Sequence, residues 1–290
     1  MPFVQLPQLR VHFETAGQGP AAVVLVHGNF ASARWWRPVL ERCPEGVTVF
    51  APSARGCGDS ERLREGFTLK QLAQDVADFA GQVGLQRFRV LGHSLGGAVA
   101  MQLAADHPDR VEALLAVAPP PTAAAEVLKD KSNPLARILR AFNADDPKDV
   151  LMIKALLAWG EAFGQHRRML RRSLEDMLGT STVTRETIDA LLDDAAKVPE
   201  EALLGFLGAL QHWDIREPLS KVSVPATIVW GENDPLIGRE SAESAAKNFP
   251  NGKLVVWAKT GHSPMFERPD QFASLVGTFA RGEPLPESLS

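Results

Sequence analysis

The chain has 290 residues, 45% of them hydrophobic and 23% charged, with a formal net charge of −4. That is enough for one large domain or a core carrying a smaller unit, and enough apolar surface to need no disulfide or structural metal. The acidic balance points away from a nucleic-acid partner, because phosphate binding needs a concentrated basic surface, and no apolar run approaches the ~20 residues that cross a bilayer.

The first residues, Met1 to Gln5, lack the basic start and apolar core of a signal peptide. Cys43 and Cys57 show no metal-ligand spacing and no disulfide framework. The expectation is a cytoplasmic protein without metal or cofactor, whose partner is a small molecule and not a nucleic acid or a membrane.

Residues 3–14 hold two short apolar stretches around Pro7-Gln8, read as an antiparallel hairpin at a sheet edge. Ala21-Ala22-Val23-Val24-Leu25-Val26 follows, a continuous apolar run that suits a strand covered on both faces, as in a parallel sheet. Val47-Thr48-Val49-Phe50, Phe88-Arg89-Val90-Leu91 and 113–117 repeat it. Between two of them, Thr68 and Gln71 form a capping-box pair, and Leu69, Leu72, Ala73, Val76, Phe79, Ala80 and Val83 share one helical face up to Gly84.

From 122 to 219 the apolar spacing turns wholly helical, with helices predicted over 135–142, 150–163, 167–178, 184–196 and 200–212. Strands then return at 226–230 and 253–257, and Pro269 opens a last helix striped by Phe272, Leu275, Val276 and Phe279. The tail after Arg281 reads as frayed. The fold class is α/β, a mostly parallel β-sheet flanked by helices. Its core occupies 1–121 and 220–290, and a helical cap of 122–219 is inserted over the carboxyl end of the sheet.

The chemistry concentrates at Gly92-His93-Ser94-Leu95-Gly96-Gly97, a G-x-S-x-G after a predicted strand and before a predicted helix. A serine on so tight a turn has its hydroxyl raised above the sheet, and the helix opening at Leu95 aims backbone donors at the reaction centre. Serine needs a base. Of seven histidines, His262 is the one placed late and just after a strand, whereas His27 and His93 precede motif turns and read as loop supports. The base needs an orienting carboxylate. Asp234, in Gly231-Glu232-Asn233-Asp234-Pro235, is the choice, with Glu232 as the fallback. The oxyanion donors are expected to be the N–H groups of Leu95 and Asn29, with Phe30 as second choice to Asn29.

These motifs, with His27-Gly28-Asn29-Phe30, Arg55-Gly56-Cys57-Gly58-Asp59-Ser60 and the run from Gly261 to Pro264 with Glu267 and Pro269, resemble the α/β-hydrolase superfamily in a member with a helical cap. One departure is Ser53, where relatives often carry an aspartate that supports a loop. The resemblance implies an enzyme that cleaves carboxylic esters, lactones included, through an acyl-enzyme on Ser94, His262 and Asp234. Carbon–carbon hydrolysis of vinylogous diketones and a non-catalytic, receptor-like use of the fold are the alternatives. The aspartate nucleophile of haloalkane dehalogenases and epoxide hydrolases is absent, since Ser94 holds that position. Phe30, Trp159, Ile237 and Met265 are candidates to line the substrate pocket. Trp35 and Trp36 read as core, and Arg167, Arg168, Arg171 and Arg172 as a solvated helix face.

Overall fold

A computed structural model describes residues 2–129, 136, 140, 146–152, 154, 165–178 and 183–290. Nine strands form one sheet in the order β1-β2-β4-β3-β5-β6-β7-β8-β9. β1 (Phe3–Gln5), β2 (Arg10–Ala16) and β4 (Val47–Pro52) meet antiparallel at one side. From β4 onward all pairs are parallel, through β3 (Ala21–Val26), β5 (Phe88–His93), β6 (Val111–Val117), β7 (Ala226–Gly231) and β8 (Gly252–Trp257). The continuous apolar runs are those with both faces covered: Val23, Val24, Leu25, Leu114, Leu115 and Ile228 have no exposed surface at all.

One expectation is corrected. The tail is not wholly frayed, because Ser288–Leu289 adds as β9, parallel to β8, and Leu289 O accepts the Ala258 N–H at 2.8 Å. Two residues are too short for any periodic signal.

After the short helix α1 (Arg37–Leu40) come α2 (Leu69–Gln82) and α3 (Leu95–Asp106), which pack against each other. The α2 cap is half of the predicted box. Thr68 Oγ1 accepts the Gln71 N–H at 3.2 Å, but the Gln71 amide donates to Asp75 Oδ1 at 3.1 Å and not back to Thr68. Asp75 needs it: this carboxylate is buried in a bidentate pair with Arg55, at 2.7 Å on both arms. That pair ties the loop after β4 to α2.

Between β6 and β7 the described segments are helical: α4 (Ala124–Lys129), α5 (Gln165–Leu178), α6 (Arg185–Ala195), α7 (Glu200–Gln211) and α8 (Arg216–Leu219). The helices predicted over 135–142 and 150–163 lie largely outside the described residues, as does Trp159. The arginine cluster is largely exposed, as expected: Arg167 pairs with Asp193 on α6 at 2.7 Å and Arg171 with Asp189, while Arg168 and Arg172 lie in solvent. The two ends of the insertion are joined by backbone hydrogen bonds, Ala124 N–H to Trp213 O at 2.8 Å and Ile215 N–H to Thr122 O at 2.9 Å. Trp213 anchors that joint, donating its indole N–H to Gln102 on α3 at 3.2 Å. Helix α7 rests on the loop after β4, with Phe206 edge-on to Phe67.

The chain closes with α9 (Arg239–Lys247), the short α10 (Pro264–Glu267) and α11 (Pro269–Arg281). Phe272 of α11 stacks on both Trp36 and Trp257, which places Trp36 in the core; Trp35 is buried beside it.

Candidate active site

Four of the parallel strands, with β6 between the second and third, each deliver one part of the site at their carboxyl ends: β3 leads to Gly28, β5 to Ser94, β7 to Asp234 and β8 to His262. All four non-glycine residues with positive φ among the described residues, Phe30, Ser94, Ala118 and Lys259, lie in loops at this carboxyl edge. Such strain persists only where the surroundings over-determine it.

Ser94 has φ 52° and ψ −121° between β5 and α3, the sharp elbow expected of G-x-S-x-G. The glycines are required by backbone proximity. A Cβ on Gly92 would lie 2.0 Å from Gly96 O, and one on Gly96 would lie 2.1 Å from Val26 O. Ser94 itself is only partly buried. Across from it, a Cβ on Gly28 would stand 3.2 Å from Ser94 Cβ, so the loop after β3 runs directly against the serine.

The structure brings His262 and Asp234 together. His262 Nδ1 and Asp234 Oδ2 are 2.9 Å apart, with side chains 1% and 0% exposed. The other carboxylate oxygen, Oδ1, accepts the N–H groups of Leu236 and Ile237 at 2.8 and 3.0 Å. Glu232 is elsewhere, exposed and accepting the Lys259 N–H at 3.2 Å. The carboxylate with access to the imidazole is therefore Asp234.

The His262 backbone is fixed as firmly as its ring. Glu267 accepts the N–H groups on either side of it, Gly261 at 2.7 Å and Ser263 at 3.1 Å. His93 Nε2 donates to His262 O at 2.8 Å, and its ring stacks on Trp35. Burial holds His93 well below the ordinary imidazole pKa, with His262 nearby adding to the depression. His27 plays a similar part in the loop after β3. Its Nε2 accepts the Ala54 N–H at 2.9 Å, so its Nδ1–H donates to Gly28 O at 2.8 Å. Burial lowers its pKa to about 4, keeping it neutral. Ser53 supports the same region, accepting the Ala33 N–H at 3.0 Å.

Of the candidate oxyanion donors, Phe30 N–H is already taken by the Asn29 side-chain oxygen at 3.0 Å. Among the described residues no acceptor meets the N–H of Asn29 or of Leu95. Of the candidate pocket residues, Met265 and Ile237 are buried at 0% and 3%, and Phe30 is partly buried. Trp159 lies outside the described residues.

Other nucleophiles and metals are poorly served. Burial pushes the Cys57 thiol up to about 12, and the two cysteines are not bonded to each other. Among the described residues no group of three or more His, Cys, Asp or Glu side chains could hold a metal ion, and no helix is long and apolar enough to cross a membrane. Sequence reasoning gave no role to Asp194, and it named Glu267 only as part of a motif.

A parallel sheet with a strained serine elbow and an oriented histidine–carboxylate pair at its carboxyl edge defines a hydrolase of the α/β class. The chain belongs to the alpha/beta hydrolase fold family, whose model matches residues 21–269. Solved structures agree on the fold. An enol-lactonase from Burkholderia xenovorans LB400 is 21% identical, covering 97% of this chain and 100% of its own, with a TM-score of 0.74. The esterase EaEST from Exiguobacterium antarcticum is 19% identical over 96% and 98% of the two chains, with a TM-score of 0.76. An epoxide hydrolase from Bacillus megaterium is 17% identical over 97% and 100%, with a TM-score of 0.77.

Proposed function

We propose that the protein hydrolyses carboxylic esters, lactones among them, through an acyl-enzyme on Ser94, with His262 as general base and Asp234 as its orienting acid. The observation that carries this reading is the buried 2.9 Å pair of His262 and Asp234 at the sheet edge where Ser94 stands on its elbow. Asp234 holds the proton of His262 on Nδ1 and leaves Nε2 as the base. Ser94 Oγ attacks the ester carbonyl carbon while Nε2 takes its proton. The oxygen of the tetrahedral intermediate is met by the N–H groups of Asn29 and Leu95. Collapse breaks the carbon–oxygen bond, and the departing alkoxide takes the proton from Nε2. Water, deprotonated by the same base, then releases the acid and restores Ser94. A lactone follows the same steps and leaves as a hydroxy acid.

The fold is shared with an epoxide hydrolase, but a serine opening an epoxide would leave an ether that this machinery cannot hydrolyse. Residues 122–219 form a cap, in this reading, that selects which acyl and alcohol groups reach Ser94.

The test is Ser94→Ala with a panel of short and medium esters, lactones and a vinylogous diketone. Ester or lactone turnover of the variant should lie several orders of magnitude below wild type, and in the wild type a fluorophosphonate should label Ser94 alone. Activity of the variant within about tenfold of wild type would remove Ser94 from the chemistry. Cleavage of the diketone alone would replace ester hydrolysis with carbon–carbon hydrolysis.

A further inference from the structure

One carboxylate of the insertion is buried away from its own helix. Asp194 sits in the last turn of α6 and its side chain is 5% exposed. The negative end of the helix dipole disfavours an anion there, and a buried charge is tolerated only with partners. Its partners lie in the core, in the loop after β3. Ser32 Oγ donates to Asp194 Oδ2 at 2.5 Å and Arg34 Nη1 donates to Oδ1 at 2.9 Å. Within the insertion, Lys197 adds a second positive charge at 3.6 Å.

Those two core residues are fixed to each other and to the rest of the edge. Ser32 Oγ also accepts the Arg34 N–H at 3.2 Å, capping the helical turn Ala33–Trp36. Arg34 reaches Asp59 in the loop after β4 at 2.7 Å, and its Nε lies 3.9 Å from Glu14 on β2. Ser32 follows Asn29 by three residues, and the loop between them includes Phe30 at φ 57°. A strained segment is therefore held at its far end by a residue of the insertion.

We propose that Asp194 is a positioning residue, through which the docked insertion holds the loop after β3 so that the Asn29 N–H faces the same point as the Leu95 N–H. The inference rests on the oxyanion site of the preceding reading. It makes oxyanion stabilisation conditional on the insertion being seated: when α6 lifts, Ser32 and Arg34 lose that carboxylate, Arg34 keeps its contacts to Asp59 and Glu14, and the donor loop loosens.

The experiment uses the full chain. Turnover of a short, unhindered ester is measured per active site titrated with a fluorophosphonate, which removes any change in folded fraction. Asp194→Ala should lower kcat at least about tenfold with KM nearly unchanged, since a misplaced oxyanion donor acts on the transition state. Binding of a trifluoromethyl ketone, which forms a tetrahedral oxyanion on serine, should weaken in parallel. Hydrogen exchange over 29–36 should accelerate. Asp193→Asn is the control, because Asp193 pairs with Arg167 inside the insertion; it should leave all three readings in place. If Asp194→Ala does not fold, Arg34→Met attacks the same contact from the core and should act in the same direction. A site-normalised kcat within about twofold of wild type overturns the proposal, as does unchanged exchange over 29–36, or an equal loss in Asp193→Asn. Absence of any ester or lactone turnover in the wild type would instead defeat the underlying reading, and the exchange arm would still report whether Asp194 holds the loop.

Discussion

Replacing Asp234 by asparagine changes one atom, and the structure specifies which way the new amide must face. Oδ1 receives two backbone donors, Leu236 at 2.8 Å and Ile237 at 3.0 Å. An amide turned with its NH₂ towards them would lose both bonds, and each unmade bond to a buried group costs about 1–3 kcal/mol. Even the lower sum, ~2 kcal/mol, favours the unturned amide about 30-fold. The NH₂ then faces His262 Nδ1 and donates to it. Nδ1 must become the acceptor, the proton moves to Nε2, and the ring loses the acceptor that the proposed mechanism requires for Ser94. The expected loss in kcat is on the order of 10⁴-fold, the size seen when a triad histidine is held in the wrong tautomer. Stability should change little, because the backbone bonds to Oδ1 survive. The assay is steady-state turnover of a short p-nitrophenyl ester, beside thermal unfolding of the same preparation. Glu232→Gln is the internal comparison, since among the described residues the Glu232 side chain accepts the Lys259 N–H and does not reach His262. Activity of Asp234→Asn within about tenfold of wild type, or an equal loss in Glu232→Gln, would refute the reasoning.

Two further predictions concern stability. Arg55→Met strands the buried Asp75 carboxylate, with only Gln71 left to it; denaturant unfolding should register a loss of about 3–5 kcal/mol, and Arg55→Met with Asp75→Leu should recover much of it. If the single variant lost under about 1 kcal/mol, the pair would not be structural. His27 is neutral when folded, with its pKa lowered to about 4 by burial, against 6.5 for the free imidazole. The unfolded chain therefore binds the proton first, so stability present above about pH 6.5 is lost as pH falls through 4. His27 accounts for up to about 3 kcal/mol of that loss. Urea midpoints of wild type and His27→Gln at pH 7 and pH 4.5 should diverge in slope, and identical acid losses would contradict this assignment.

What the sequence made legible follows from where each signal is local. The strands at β3, β6 and β7 announce themselves because both faces are covered, so nearly every side chain is apolar. The serine elbow is legible because its glycines answer to backbone contacts within a few residues of each other or of one neighbouring strand. Gln71 misled because its capping role was local and Asp75's demand, set by Arg55 twenty residues earlier, was not. Asp193 and Asp194 stand side by side, one exposed towards Arg167 and one buried against Ser32 and Arg34. A helical wheel could have separated them. Asp194 falls three residues after Leu191, at the edge of the buried side of α6 formed by Ile188, Leu191, Leu192 and Ala195, where a carboxylate is out of place without a partner. The partner itself, about 160 residues away in the chain, leaves no mark near it.

The joint at Thr122 and Ile215 has a consequence for the ancestry of such chains. Because Thr122 O, Ala124 N–H, Trp213 O and Ile215 N–H satisfy one another, the insertion leaves and re-enters the core through a single closed doorway. A segment attached in this way behaves as a cassette. Its length and helix count can change between descendants without shifting the register of β6 and β7, so long as the doorway is kept. In the proposed reading, the sheet edge that carries Ser94, Asp234 and His262 can thus be kept while the insertion changes, and one set of reacting groups can meet new substrates without being rebuilt.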